Sequence, residues 1–241
     1  MNKNKYLLLI FLSFILVVAF FLDLVNSRGL GIKEVISPAN QDEETLADQK
    51  YPLHRNIVAT VFWVGEEATE ENDYITNRES IWDTHWLESY GGVDNPDQRD
   101  GWYPQGFIPK ENPFYLALPY SDFEEKQQKG NLNFVPWYHE PVADNVSLVK
   151  NRWVKIFHQD KVCFGQWEDA GPILTDDVDY VFGTARPRNT FGLKAGIDVS
   201  PALRDCLEIG TSARVDWQFV DEEDVPSGPW KQIITRSDPN F

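Results

Sequence analysis

The sequence predicts a mainly β fold, a barrel within one domain, and three stretches predict it. "NIVATVFWV" (Asn56 to Val64) is β-branched and aromatic on both faces, as expected of a central barrel strand. "RWVKIFH" (Arg152 to His158) alternates, turns at Gln159-Asp160 and returns as "KVCFGQW" (Lys161 to Trp167), which reads as a β-hairpin. "GIDVSPALRDCLEIG" reads as a strand feeding a helix, with Ser200 as N-cap, Pro201 at the first helical position and Gly210 as the stop.

The elements follow in chain order. Residues 1–25 read as an export segment: Lys3 and Lys5 precede an apolar run from Tyr6 to Leu22, broken only by Ser13. That run lies at the short end of the roughly 17–25 residues that span a bilayer and above the roughly 7–15 of a cleaved signal core. It is therefore either a retained membrane anchor or a cleaved signal peptide. The positive charge ahead of it sends the rest of the chain to the extracytoplasmic side. Residues 26–55 are polar and aperiodic, a tether carrying Asn40-Gln41-Asp42-Glu43-Glu44.

The barrel domain is expected over residues 56–230. Its insertion at 65–112 is acidic and aromatic-rich, broken by Gly91-Gly92, Asn95-Pro96 and Asp100-Gly101, with one short helix possible in "ESIWDTHWLESY". "NPFYLALPY" (Asn112 to Tyr120) is a second strand ended by proline. After the hairpin and the strand–helix unit, whose buried stripe is Ala202, Leu203, Cys206 and Leu207, "RVDWQFV" (Arg214 to Val220) is the last strand. Residues 231–241 form a C-terminal tail. No internal repeat is visible.

Composition narrows the function. Hydrophobic residues are 42% of the 241 and aromatics 14%, too apolar for a disordered chain despite a net charge of −16. That acidity, with no basic patch, excludes nucleic acid as a partner. The two cysteines, Cys163 and Cys206, lie in the exported part and either form one bridge or are buried free thiols. The four histidines show no zinc spacing, and no phosphate loop, dinucleotide fingerprint or serine-hydrolase elbow occurs, so no cofactor is expected. Asp176-Asp177-x-Asp179 lacks the glycine and terminal glutamate of a calcium loop and reads as a solvated acidic segment.

The chemistry concentrates where "CFGQWEDAGP" ends its strand. Asp169 leaves the strand at a Gly171-Pro172 turn, which places it at a barrel mouth, and Asp198 stands two residues before the N-cap of a helix. Two carboxylates in different environments are what glycosidic cleavage needs, one protonated to donate and one ionised to steady positive charge. The alternative is that both only accept backbone N–H bonds in a turn and at a helix start.

The order Asp169-Ala170-Gly171-Pro172, Ile197-Asp198-Val199-Ser200, a short helix and a last strand resembles the double-psi β-barrel of the rare lipoprotein A-like family. That fold is shared with expansins, barwin-like proteins, certain endoglucanases and the membrane-bound lytic transglycosylases of type A. The resemblance covers residues 148 to 220 best. It implies a six-stranded double-psi barrel with a short helix and a long decorated insertion. It also implies wall polysaccharide or peptidoglycan as partner, and catalysis by the aspartate matching Asp198, acid and then base. Asp169 is then a partner or positioning group.

The chain carries Ala170 where the family has arginine and lacks its Ser-Gly-Glu and Thr-Ala-Ala-His stretches. Glu111 is the nearest candidate for the family's remaining carboxylate. Trp167, Glu168, Trp137 and Tyr138 are candidate substrate contacts, aromatics because a ring face suits the apolar face of a sugar. The bland reading of each aromatic is core packing. Three functions remain: a lytic transglycosylase or glycoside hydrolase; a non-catalytic, expansin-like module that binds wall polysaccharide or a protein; or an envelope protein with only a scaffolding role.

Overall fold

The computed structural model describes residues 50–241 apart from 73, 140–142 and 144. The expected leader, and the tether up to residue 49, lie outside the described residues. Lys50–Phe241 is one compact unit. Among the described residues no helix is long and apolar enough to cross a membrane.

Six strands close a mixed barrel: β1 (His54–Val61), β2 (Tyr115–Leu118), β3 (Trp153–His158), β4 (Lys161–Ala170), β5 (Ile197–Val199) and β6 (Ser212–Val220). Around the barrel they run β1-β6-β3-β4-β2-β5 and back to β1. The β1–β5 and β2–β4 pairs are parallel; β1–β6, β6–β3, β3–β4 and β2–β5 are antiparallel. Exchanging β1 with β4, β2 with β5 and β3 with β6 leaves this pairing scheme unchanged. The fold thus has a twofold topological symmetry that the sequence does not display, and it is compatible with a double-psi barrel.

Alternation along each strand separates two faces. Ile57, Ala59, Leu116, Leu118, Ile197, Val199, Val215, Trp217 and Phe219 fill the barrel interior. Tyr115 and Ala117 face outward and join Phe62, Val64, Trp86 and Tyr90 in a second cluster beneath the insertion. Among the described residues of that insertion Trp86–Tyr90 forms an α-helix, α1, and Glu70–Asn72 a single 3-10 turn. The α-helix ends at Gly91, where φ of 111° requires glycine.

A four-residue helix, α2 (Val178–Val181), precedes β5. The predicted capped helix is α3 (Pro201–Leu207), with the Ser200 hydroxyl accepting from Leu203 N–H at 3.2 Å. It stops earlier than expected: Glu208 takes the left-handed cap conformation at φ 55°, so Gly210 is not the stop.

Cys163 on β4 is bridged to Cys206 on α3, a sequence separation of 43. The bridge fastens the helix that follows Asp198 to the strand that carries Asp169. A loop of this length constrains the unfolded chain by about 4 kcal/mol. Reduction should therefore lower the melting temperature by roughly 8–16 °C for a domain of this size. Thermal unfolding with and without a thiol reductant checks it; superimposable curves would mean that the bridge carries no stability.

The last residues are woven into the domain. Asn240 N–H donates to the Trp82 carbonyl at 2.7 Å, and Thr84 N–H donates to the Asn240 carbonyl at 3.0 Å. The C-terminal segment thereby holds the loop on which Ile81 sits.

Candidate active site

Strand register brings four residues into one row across four adjacent strands. Asp169 on β4 is paired with Ala117 on β2, Ala117 with Asp198 on β5, and Asp198 with Thr60 on β1. Residues opposite one another point to the same side of a sheet. Ala117 faces outward, so the row lies on the outer face of the barrel under the insertion, rather than inside the mouth as the turn suggests. Alanine at the centre places only a buried methyl group between the two carboxylates. In the topological symmetry Ala117 exchanges with Asp198, and Thr60 with Asp169.

Asp169 reaches this face through a β-bulge. Leu116 pairs with Trp167 and Ala117 with Asp169, so Glu168 is the extra residue. Without the bulge, simple alternation would put Asp169 on the same side as Trp167, in the core. Its Oδ1 accepts the N–H groups of Ile81 and Ala170, each at 2.8 Å. Trp167 is fully buried against Trp82, Phe182 and Phe219, and its indole N–H donates to the Asp169 carbonyl at 2.8 Å. In that position it fixes the Asp169 backbone and presents no face to a ligand.

Asp198 Oδ1 accepts the Thr60 hydroxyl. A Cβ built on Gly171 would lie 3.5 Å from Asp198 Oδ2 and 3.8 Å from the Ala117 methyl. Gly171 therefore borders Asp198 and Ala117 without a side chain of its own.

Burial raises both aspartates to about 7. For Asp198 the negative charges of Asp169 and Glu66 add to burial, while the Thr60 hydroxyl opposes it. The two environments differ in kind. Two N–H donors favour the ionised form of Asp169; Asp198 has one hydroxyl donor and faces two carboxylates. Hydrogen bonding thus favours ionisation of Asp169 over that of Asp198.

Glu66 is the residue that sequence reasoning missed. It follows β1 at the start of the insertion and is buried. The Asn77 side-chain amide donates to its Oε2 at 2.6 Å, and its backbone carbonyl accepts Asn77 N–H at 3.0 Å. Burial raises its carboxyl above the usual range, and the Asn72 and Asn77 amides oppose that. Gly65, at φ 78° and with Leu87 and Val93 atoms 2.9 Å from any added Cβ, fixes the turn. The one local signal was the Gly-Glu pair directly after a strand, set in a loop full of other acids.

Glu111 and Glu168 meet in a separate buried cluster. Lys150 Nζ donates to Glu168 Oε2 at 2.7 Å and to Ser237 Oγ at 2.9 Å, and Ser237 donates to Glu111 Oε1 at 3.0 Å. Burial raises Glu168 to about 7 and Glu111 above its usual range; in both, Lys150 pulls the other way. Glu111 thus joins Glu168 and the C-terminal segment rather than the aspartate row.

Trp137 lies elsewhere, edge-on to Phe219 at 5.0 Å and beneath the Arg152 guanidinium at 4.6 Å, with its indole bonded to the Leu148 carbonyl. Tyr138 packs partly buried against the main core. The Asp176 and Asp177 carboxylates are occupied by Arg188.

No protein-family model matches this chain, and no curated protein matches it in sequence. Fold and site are accordingly read from the barrel and its carboxylates alone.

Proposed function

We propose that this protein is an exported, wall-directed member of the rare lipoprotein A-like double-psi group that cleaves a glycan, with Asp198 as acid and then base. One observation carries the reading: two aspartates flank Ala117 in a single strand row and differ in their partners, two N–H donors on Asp169 against one hydroxyl on Asp198. A pair whose environments push its members into opposite protonation states at neutral pH is the requirement for acid-assisted glycosidic cleavage. Asp198 Oδ2 gives its proton to the glycosidic oxygen as the C1–O bond breaks. The ionised Asp169, with Glu66 behind Asp198, steadies the oxocarbenium-like charge. The sugar's own 6-hydroxyl then closes on C1 and returns its proton to Asp198, leaving a 1,6-anhydro end; water in its place would leave a reducing end. The Cys163–Cys206 bridge suits an oxidising compartment and supports export.

Digestion of purified peptidoglycan and a panel of neutral polysaccharides, with products read by mass, tests this. Anhydro-sugar ends from the wild type and none from Asp198→Asn are expected. A wild type that pellets with a polymer but releases nothing would leave the expansin-like binding module. That second reading is favoured by the donors on both Oδ1 atoms, which also fit a purely structural role.

Glu66→Gln removes one of the negative charges facing Asp198. The prediction is an alkaline limb of the pH–rate profile that moves to lower pH, by about half a unit to one unit. An unmoved limb would mean that Glu66 does not act on the proton of Asp198.

A further inference from the structure

The chain leaves Asp169 through Gly171 and Pro172 into a turn that has no structural need for the residue it carries. Leu174 N–H donates to the Pro172 carbonyl at 2.6 Å, a three-residue γ-turn, and Ile173 at its centre has φ of 64°. This is the strained form of that turn, and a β-branched residue is among the least tolerated there. Glycine or asparagine would relieve it. The turn is pinned on both sides, by Gly171 N–H to the Leu118 carbonyl at 3.1 Å and by Ser121 N–H to the Thr175 carbonyl at 3.0 Å. The surrounding fold thus imposes the conformation on whatever residue stands at 173. Nor does Ile173 serve the core, since it is 43% exposed. Its backbone also adjoins Asp198: its nitrogen lies 3.9 Å from the Cβ position of Gly171, from which Asp198 Oδ2 is 3.5 Å and the Ala117 methyl 3.8 Å.

We propose that Ile173 is a substrate contact, an exposed apolar side chain beside Asp198 that covers the C–H face or N-acetyl methyl of a sugar ring bound at the aspartates. The proposal rests on the glycan reading of the site and adds to it a residue that sequence reasoning passed over. Strain retained at an exposed isoleucine whose backbone adjoins Asp198 is explained by what the side chain touches when a substrate is bound.

Two measurements on the full chain in detergent test it. In the first, Ile173→Asn should raise the melting temperature by about 2–4 °C, because asparagine accepts this backbone, and should weaken capture of glycan fragments roughly tenfold. Ile173→Val, which keeps both the branching and the apolar surface, should change neither. In the second, the isoleucine methyl groups are followed by NMR while short glycan-strand fragments of peptidoglycan are added. The Ile173 methyl should shift together with that of Ile81, whose N–H holds Asp169, while that of the exposed Ile108 stays in place.

A lower melting temperature for Ile173→Asn would overturn the strain argument. Shifts at Ile81 without a shift at Ile173, or unchanged capture by Ile173→Asn, would overturn the contact and leave the glycan reading intact. Shifts at both with no products released would keep the contact and reject catalysis. No shift at either would overturn both.

Discussion

Asp198→Asn is expected to make the protein more stable at pH 8 while removing its glycan cleavage. The amide keeps the shape and the Thr60 contact, and it takes away both the proton donor and a carboxylate that is costly to ionise where it stands. Loss of a positioned general acid lowers turnover by about 10²–10⁴-fold. The stability change follows from linkage. Asp198 titrates at about 7 in the folded chain, against about 3.9 for an unperturbed aspartate.

The folded state therefore binds this proton more tightly than the unfolded state. Its contribution is fully present below about pH 4 and is lost as pH rises through 7. The amide of the variant does not titrate and has no such loss, so Asp198→Asn should exceed the wild type by about 2–4 kcal/mol at pH 8 and match it near pH 4. Denaturant unfolding at the two pH values measures the difference. A variant that is less stable at pH 8 would mean that Asp198 is held ionised as a structural acceptor of the Thr60 hydroxyl, and one that still cleaves would mean that Asp198 is not the acid.

Lys150→Met should produce the opposite effect by a comparable amount. Lys150 and Glu168 are 4% and 2% exposed in their side chains, 2.7 Å apart, and Glu168 Oε1 has no hydrogen-bond partner among the described residues. Removing the ammonium leaves Glu168 and Glu111 buried without a counter-charge, which costs about 3–5 kcal/mol. Because Glu168 takes up a proton near 7 even with the lysine in place, the loss should be largest at pH 8 and smaller at pH 5. The double variant Lys150→Met, Glu168→Gln should recover most of it. Equal losses at both pH values would show that the lysine acts through packing and through Ser237 rather than by charge.

The local signals of the barrel could be read from the chain because they depend on neighbouring residues. Alternation and turn chemistry placed the β3–β4 hairpin, and Ser200 with Pro201 placed the start of α3. What escaped depended on distant pairing. The bulge at Glu168 exists because Trp167 and Asp169 pair with consecutive residues of β2. No property of "CFGQWEDAGP" alone turns Asp169 from the core face to the outer face. Glu66 was hidden for a similar reason. Its role comes from Asn77 and from a β1–β5 pairing across more than half the chain, whereas locally it is one acid among many.

The twofold relation of Thr60 to Asp169 and of Ala117 to Asp198 is one of strand pairing. It leaves no mark in residue identity. Trp167 erred in the other direction: adjacency to the acids suggested a ligand face, but a large indole on a two-sided strand goes to the core. The Cys163–Cys206 pairing, left open by spacing, is decided by how α3 lies across β4.

The two aspartates on the outer face of the barrel are expected to share one proton at neutral pH, with Asp198 the protonated member. Carboxyl-carbon NMR titration of the folded protein, with Asp169 and Asp198 assigned through their Asn variants, tests this without any substrate. Coupled transitions near pH 7 are expected, with the Asp198 transition the later of the two as pH rises and shifted downward in Glu66→Gln. Ordinary carboxylate transitions near pH 4 for both residues would contradict it.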